Sequence, residues 1–356
     1  MGTECLVVPP LLSSFVDAFV DFSVGGIFFP LRRSSDRSPI LKVERLRAGD
    51  AAKQAFSLAG LVDSQEGRWK GGSSVAVQVG DVLDRGGEEI RLMYLLHRLK
   101  IEASRAGGAL HIINGNHEVM NVALDFRFAT PAGIAEFERW GVWYRVGMAM
   151  KRLCDGVESP KDPFEGIPSV FPDVKEEFLE GIRARIAALR PDGPISRRFL
   201  AGNQTVVVVG DSVFVHGGLL RDHVEYGLER LNDEVRDWIE GSTSSMPRHL
   251  KGRDSLVWLR RFSDGPDCDC THLEEVLSTI PGAKRMNRAI RVDVGLSKGC
   301  TNGLPEVLEI VEGKQLRVLT SNEVFRHKNT YESSVRLKKE SVKFPESMIK
   351  DVEVKA

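Results

Sequence analysis

Gly80-Asp81-Val82-Leu83-Asp84-Arg85-Gly86 decides the fold when it is taken with two later stretches, Gly115-Asn116-His117-Glu118 and His216-Gly217-Gly218. Each follows an apolar or β-branched run, Val75–Val79, Leu110–Ile113 and Val213–Val215, so each falls where a buried strand hands the chain to a loop. Ligands gather at such strand ends in layered α/β proteins. Asp, Asn and His there offer carboxylate, amide and imidazole donors of the kind that hold two first-row metals a few ångström apart for hydrolysis of a phosphate ester. Alone, an Asp-Arg pair is usually a solvated ion pair and an Asn-His a turn; it is the set of three in order that points to chemistry.

Around these motifs the 356 residues, 42% hydrophobic, suffice for one large domain or a domain with an inserted subdomain. A formal net charge of −1 gives no basic field for nucleic acid or an anionic membrane, so neither is expected as a partner, and the oligomeric state is left open. Five cysteines at irregular positions form neither a disulfide framework nor a zinc ribbon. Cys268-Asp269-Cys270 is the only close pair and is read as an exposed loop. The expected compartment is the cytoplasm. Arg32, Arg33 and Arg37 among serines read as a linker, and make the mitochondrion the alternative.

Residues 1–40 form an N-terminal extension in which Phe15–Phe22, apolar but carrying two acids, predicts a short amphipathic helix packed on the domain. The main domain spans 41–322, with a helical insert over about 122–204. Within it, Phe137–Cys154 predicts one helix; a second opens with an acidic cap at Asp173 and stops at Pro191. Such an insert would shape substrate access or simply cover the sheet. Short strands alternating with helices in the first half predict a parallel sheet. Ile290–Val294, Val307–Ile310 and Leu316–Thr320, between short turns, suit a mostly antiparallel second one. Residues 323–356 are charged, without apolar periodicity, and read as a flexible tail. His111, alternating with apolar neighbours, reads as a packed core residue, and His97, His223, His249, His272 and His327 match no ligand motif.

The order Gly-Asp-x-x-Asp-Arg-Gly, Gly-Asn-His-Glu, His-Gly-Gly resembles the calcineurin-like phosphatases of the PPP family. Val77–Gly86, Ile113–Asn121, Val213–Leu220 and Ala289–Cys300 look like the Shewanella-like protein phosphatases of plants, their second, non-plastid subgroup in particular. The resemblance implies an α/β four-layer α/β/β/α sandwich and hydrolysis of phosphoserine and phosphothreonine in a phosphoprotein substrate by a hydroxide shared between two metal ions (Mn, Fe or Zn). It implies roles too: Asp81 bridges the metals, Asn116 and His216 bind the second, Arg85 holds phosphate with Arg260 (or Arg261) as a further contact, His117 protonates the leaving alkoxide and Asp84 orients His117.

Two pieces of the family pattern are missing from the core. The opening Gly-Asp-x-His-Gly-Asp has only Leu46–Phe56 in its place, with Asp50 but no His after it. The strand ending in Gly-His-Thr is absent where Met286 runs into Asn287. The first metal site is then left with Asp81 alone and is not expected to form. Val43–Leu46 is a possible substitute strand. Whole segments vanish while the flanking motifs stay intact, so deletion, in a splice form or a faulty gene model, accounts for the gaps better than residue-by-residue decay. The alternative function is a catalytically impaired, phosphoprotein-binding form.

Overall fold

The three motifs sit on the ends of three short strands in the computed structural model, which describes residues 9–26, 50–153, 161–262, 269–280, 305–311 and 315–320. Strand β1 (Val75–Gln78) pairs in parallel with β2 (Ala109–Ile112), Val77 opposite His111, and helix α3 (Glu89–Arg105) makes the crossover between them. The pairing extends through a parallel bridge from Ile113 to Gln204, just before β3 (Val206–Val209), which forms a hairpin with β4 (Ser212–Val215). β5 (Glu306–Val311) and β6 (Gln315–Thr320) form a separate antiparallel pair. The protein is thus mixed α/β. Ile290–Val294 and Val43–Leu46 lie outside the described residues.

Helix α3 buries Ile90, Met93, Leu96, Leu99 and Ala103 at helical spacing, and it lies against β2. A fully buried Leu or Ile stabilises by about 1.5–3 kcal/mol relative to exposure, so this stripe sets which side of α3 faces inward. In β2 the alternation puts Leu110 and Ile112 inside, while His111 is only half-buried on the other face. The core reading of His111 is therefore corrected: period-2 alternation sends it opposite to its apolar neighbours.

Helix α1 (Pro9–Gly25) buries Val16, Ala18 and Val20 against the rest and leaves Phe15 and Phe22 exposed. Its acids are anchors. Asp21 accepts from Tyr94 Oη (2.8 Å) and Arg198 Nη2 (2.7 Å), and Asp17 pairs with Lys151 (2.5 Å). Arg32, Arg33 and Arg37 lie outside the described residues. Helix α2 (Asp50–Leu58) then starts at Asp50.

The insert holds two long helices. α5 (Pro131–Arg152) begins six residues before the expected Phe137, because Thr130 caps it, accepting from Gly133 N (3.1 Å), and Pro131 supplies the first helical position. α6 (Leu179–Leu189) follows a single 3₁₀ turn and packs on α5. It starts later than expected: Asp173 has φ +64° and sits in a turn, so it does not cap the helix. Helices α7 (Arg221–Tyr226) and α8 (Leu228–Ile239) follow β4. Asp269 caps α9 (Cys270–Thr279) through His272 N (3.2 Å). Cys270 therefore opens a helix rather than lying in a loop, and Cys268 and His327 lie outside the described residues.

Candidate active site

The loop after β1 turns sharply. Asp81, Asp84 and Arg85 have φ of +59°, +69° and +55°, the left-handed region that costs a non-glycine residue about 1–2 kcal/mol. Such strain persists only where the surroundings over-determine it, and here one side chain does most of that. Glu118, on α4 (Asn116–Val122), accepts from the backbone N–H of Asp81 (2.8 Å), Val82 (2.7 Å), Leu83 (3.0 Å) and Gly115 (2.7 Å). Burial and the charge of Asp81 push its carboxyl up, against the pull of these N–H groups. Two glycines let the loops meet: a Cβ on Gly80 would lie 2.7 Å from Gly115 N, and one on Gly115 would lie 2.4 Å from Asp81 Oδ1.

His117 is buried, and its Nδ1 meets Asp84 Oδ2 at 2.7 Å. Burial alone lowers the pKa of His117. The bond to Asp84 and the charges of Asp81, Asp84 and Glu118 outweigh it, so the net shift is upward and the imidazolium persists to higher pH. The Phe128 ring lies edge-on to His117 at 5.1 Å, and the Arg85 guanidinium lies over the same ring at 5.0 Å. Arg85 N also donates to Phe128 O (3.1 Å), so Arg85 is held beside His117 from both ends.

On the opposite side, Asp81 Oδ1 accepts from His117 N (3.2 Å) at the start of α4, while its Oδ2 lies 3.3 Å from His216 Nε2. His216 Nε2 also meets Asn116 Oδ1 at 2.7 Å, and its Nδ1 meets Val79 O at 2.7 Å. A carbonyl can only accept, so Nδ1 carries a proton, and Nε2 on the other side of the ring faces two acceptor oxygens. Two acceptor oxygens on one ring nitrogen need either a proton on Nε2 or a positive ion among them. A metal ion fits this donor set, and a backbone carbonyl fixing the far nitrogen is the usual support of a metal-binding histidine. Among the described residues no group of three or more His, Cys, Asp or Glu side chains meets metal-binding geometry; here the third donor is the Asn116 amide.

The sequence motifs thus come together: Asp81, Asn116 and His216 on one side, Asp84, His117 and Arg85 on the other. Arg260 is placed differently. Gly217 N donates to Leu256 O (2.9 Å), which brings the following turn against the His216 loop, but Arg260 Nη1 bonds back to Val257 O (3.3 Å) and Leu259 O (3.2 Å). Arg261 lies 3.9 Å from Asp254.

Three further residues of the site are assigned no role by the sequence motifs. Glu118 is one. Asn121 donates to Asp84 Oδ2 (2.9 Å) and to His117 O (2.9 Å). Arg185 of α6 reaches Asp84 Oδ1 and Glu89 Oε2, both at 2.8 Å. Glu118 is visible in principle, since Glu at the third position of a helix beginning after Gly115 is a capping signal. Arg185 sits in an ordinary helical run with no such signal.

No family model matches the chain. A curated relative, Shewanella-like protein phosphatase 2 of Arabidopsis thaliana, is 52% identical over 383 positions, covering 99% of this chain and 97% of the relative. Among solved structures, one described as a cold-active protein tyrosine phosphatase superposes with a TM-score of 0.52 at 18% identity, over 76% of this chain and 72% of that one. A second structure, of a mutant cold-active protein tyrosine phosphatase, gives 0.50 at 18%, over 76% and 73%. These likenesses establish a shared fold, and the identity to the Arabidopsis protein over nearly the whole of both sequences establishes the family: the chain belongs to the Shewanella-like protein phosphatases.

Proposed function

We propose that the chain is a metal-dependent phosphoprotein phosphatase of the second, non-plastid subgroup, acting on phosphoserine and phosphothreonine, and built on the four-layer α/β/β/α sandwich. The observation that carries this is the convergence of Asp81 Oδ2, Asn116 Oδ1 and His216 Nε2 beside the His117–Asp84 pair. Asp81, Asn116 and His216 would hold metal, manganese being the first to test; a bound metal supplies Lewis-acid polarisation of the phosphate and of an attacking water. The chain's own residues do the rest. Arg85 offers a planar fork to two phosphate oxygens, and His117, oriented by Asp84, gives its proton to the departing oxygen. We place the enzyme in the cytoplasm, with the mitochondrion as the alternative. Among the described residues no helix is long and apolar enough to cross a membrane.

One observation favours a second reading, an impaired enzyme that still binds phosphoproteins. The alignment with the Arabidopsis relative runs over 383 positions and this chain has 356 residues, so the relative carries at least 27 residues with no counterpart here. This supports loss of the segments bearing the remaining ligands of the first metal. The test is phosphopeptide turnover with manganese, comparing this chain with a version in which both segments are restored and with the restored Asp81→Asn as blank. We expect this chain to be slower by roughly 10²–10³ or more, the size of a lost electrostatic stabiliser. Equal turnover would show that other residues complete the site. Absence of turnover in both would overturn the phosphatase reading. Phosphotyrosine peptides run in parallel test the serine/threonine assignment.

A further inference from the structure

We propose that Arg185, supplied by the helical insert, is a positioning residue for the His117–Asp84 pair: it locks the Asp84 carboxylate so that Oδ2 faces His117. The proposal rests on the phosphatase reading above, in which His117 is the proton donor. Arg185 is 0% exposed. Nη2 donates to Asp84 Oδ1 (2.8 Å) and Glu89 Oε2 (2.8 Å), Nη1 to Glu89 Oε1 (3.2 Å) and Nε to Asn121 Oδ1 (2.9 Å). Its guanidinium lies over the rings of Phe126 (5.5 Å) and Phe137 (4.6 Å).

The bond from Nε settles the Asn121 amide. With Oδ1 committed to Arg185, Nδ2 must face Asp84 Oδ2 and the His117 carbonyl, where it is found. Arg185 therefore acts on both oxygens of Asp84, on Oδ1 directly and on Oδ2 through Asn121, and the carboxylate cannot rotate without breaking one or the other. A lysine would neutralise the charge but could not reach these three partners in one plane. Mere cover for the sheet would call for an apolar residue here, as at the buried Ala184, Ala187 and Ala188 of the same helix.

The pair can be read without turnover. In the full chain with ¹⁵N-labelled histidine, the Nδ1–H proton of His117, bonded at 2.7 Å, should appear as a downfield resonance protected from exchange with water. We expect Arg185→Lys to lose that protection and Arg185→Ala to lose the resonance, with added guanidinium restoring it in Arg185→Ala and failing to do so in Asp84→Asn. On the same samples kcat should fall with KM unchanged. Folded Arg185→Lys and Arg185→Ala that keep the protected resonance would overturn the proposal and leave Arg185 a structural counter-charge. Should Arg185→Ala not fold, Arg185→Lys decides. Should neither fold, Asn121→Ala, which removes the amide arm alone, must lose the protection, and an unchanged resonance there overturns it. Failure of the phosphatase reading looks different: no turnover, with the resonance responding as described.

Discussion

The two histidines of the site, one on each side of the Asp81 loop, are finished in opposite ways. On the His117 side the imidazole and its Asp84 partner have side chains 3% and 0% exposed, and every acceptor meets a donor of the protein itself. On the His216 side the side chains of His216 and Asp81 are 14% and 31% exposed, and one ring nitrogen, Nε2 of His216, faces two acceptor oxygens. The first arrangement is completed by the fold. The second needs a positive charge, as a proton on Nε2 or as the metal ion proposed above, and its partial exposure lets hydration share the cost of holding these groups together.

The buried side is where a single substitution costs most. Arg185→Met leaves Glu89 without its counter-charge and Asp84 with His117 alone, and we expect a loss of about 3–5 kcal/mol in urea unfolding. A loss under about 1 kcal/mol would show that the His117 side does not depend on internal pairing. Glu136 sharpens the point through pH. It accepts from Ile90 N (3.2 Å) and Arg91 N (3.1 Å), and burial, with the charge of Glu89, raises its pKa to about 7. The unfolded value is about 4.5, so between pH 4.5 and 7 the folded state keeps a proton that the unfolded state releases. Its contribution to stability is therefore full below 4.5 and lost as pH rises through 7, on the order of 3 kcal/mol. The stability of Glu136→Gln relative to the parent should move in the variant's favour by that amount from pH 4.5 to 7.5. A difference that stays flat would place Glu136 in a wetter environment.

Glu118→Gln is the next smaller change. An amide keeps one oxygen for the four N–H groups that now share two, so two backbone donors lose their acceptor and the left-handed loop loosens. We expect about 2 kcal/mol of destabilisation, read by the same unfolding curves, together with loss of protection of the Asp81–Leu83 amides in hydrogen exchange.

The smallest effect is expected at the open side. His216→Ala should change the stability of the metal-free protein by only about 1 kcal/mol, the net worth of its bond to Val79. The same substitution should abolish the rise in melting temperature produced by manganese, a stabilisation of about 2.7 kcal/mol at a hundredfold excess over Kd. An equal manganese response in parent and variant would show that the His216 side does not bind the metal.

Much of the site is legible from residues alone, unevenly. The three strand ends can be placed because each motif follows an apolar run of strand length: β4 ends with its run at Val215, and β1 and β2 end one residue short of theirs, at Gln78 and Ile112. The second helix of the insert starts later than the sequence suggests because Asp173 reads locally as a cap, and its left-handed backbone is visible only in three dimensions. The start of α5 at Thr130-Pro131 carries a readable cap, which the apolar pattern beginning at Phe137 overshadows.

By itself the sequence determined which groups could do chemistry and that strands would bring them to one edge, because apolar runs and turn residues act over a few positions. Only the tertiary structure decided which charges complete one another. Arg185 lies 101 residues from Asp84, and within its own helix nothing distinguishes it from the neighbouring Arg183. The role of a charged side chain follows from the acceptors that the fold brings within about 3 Å of it, and no local pattern encodes that distance.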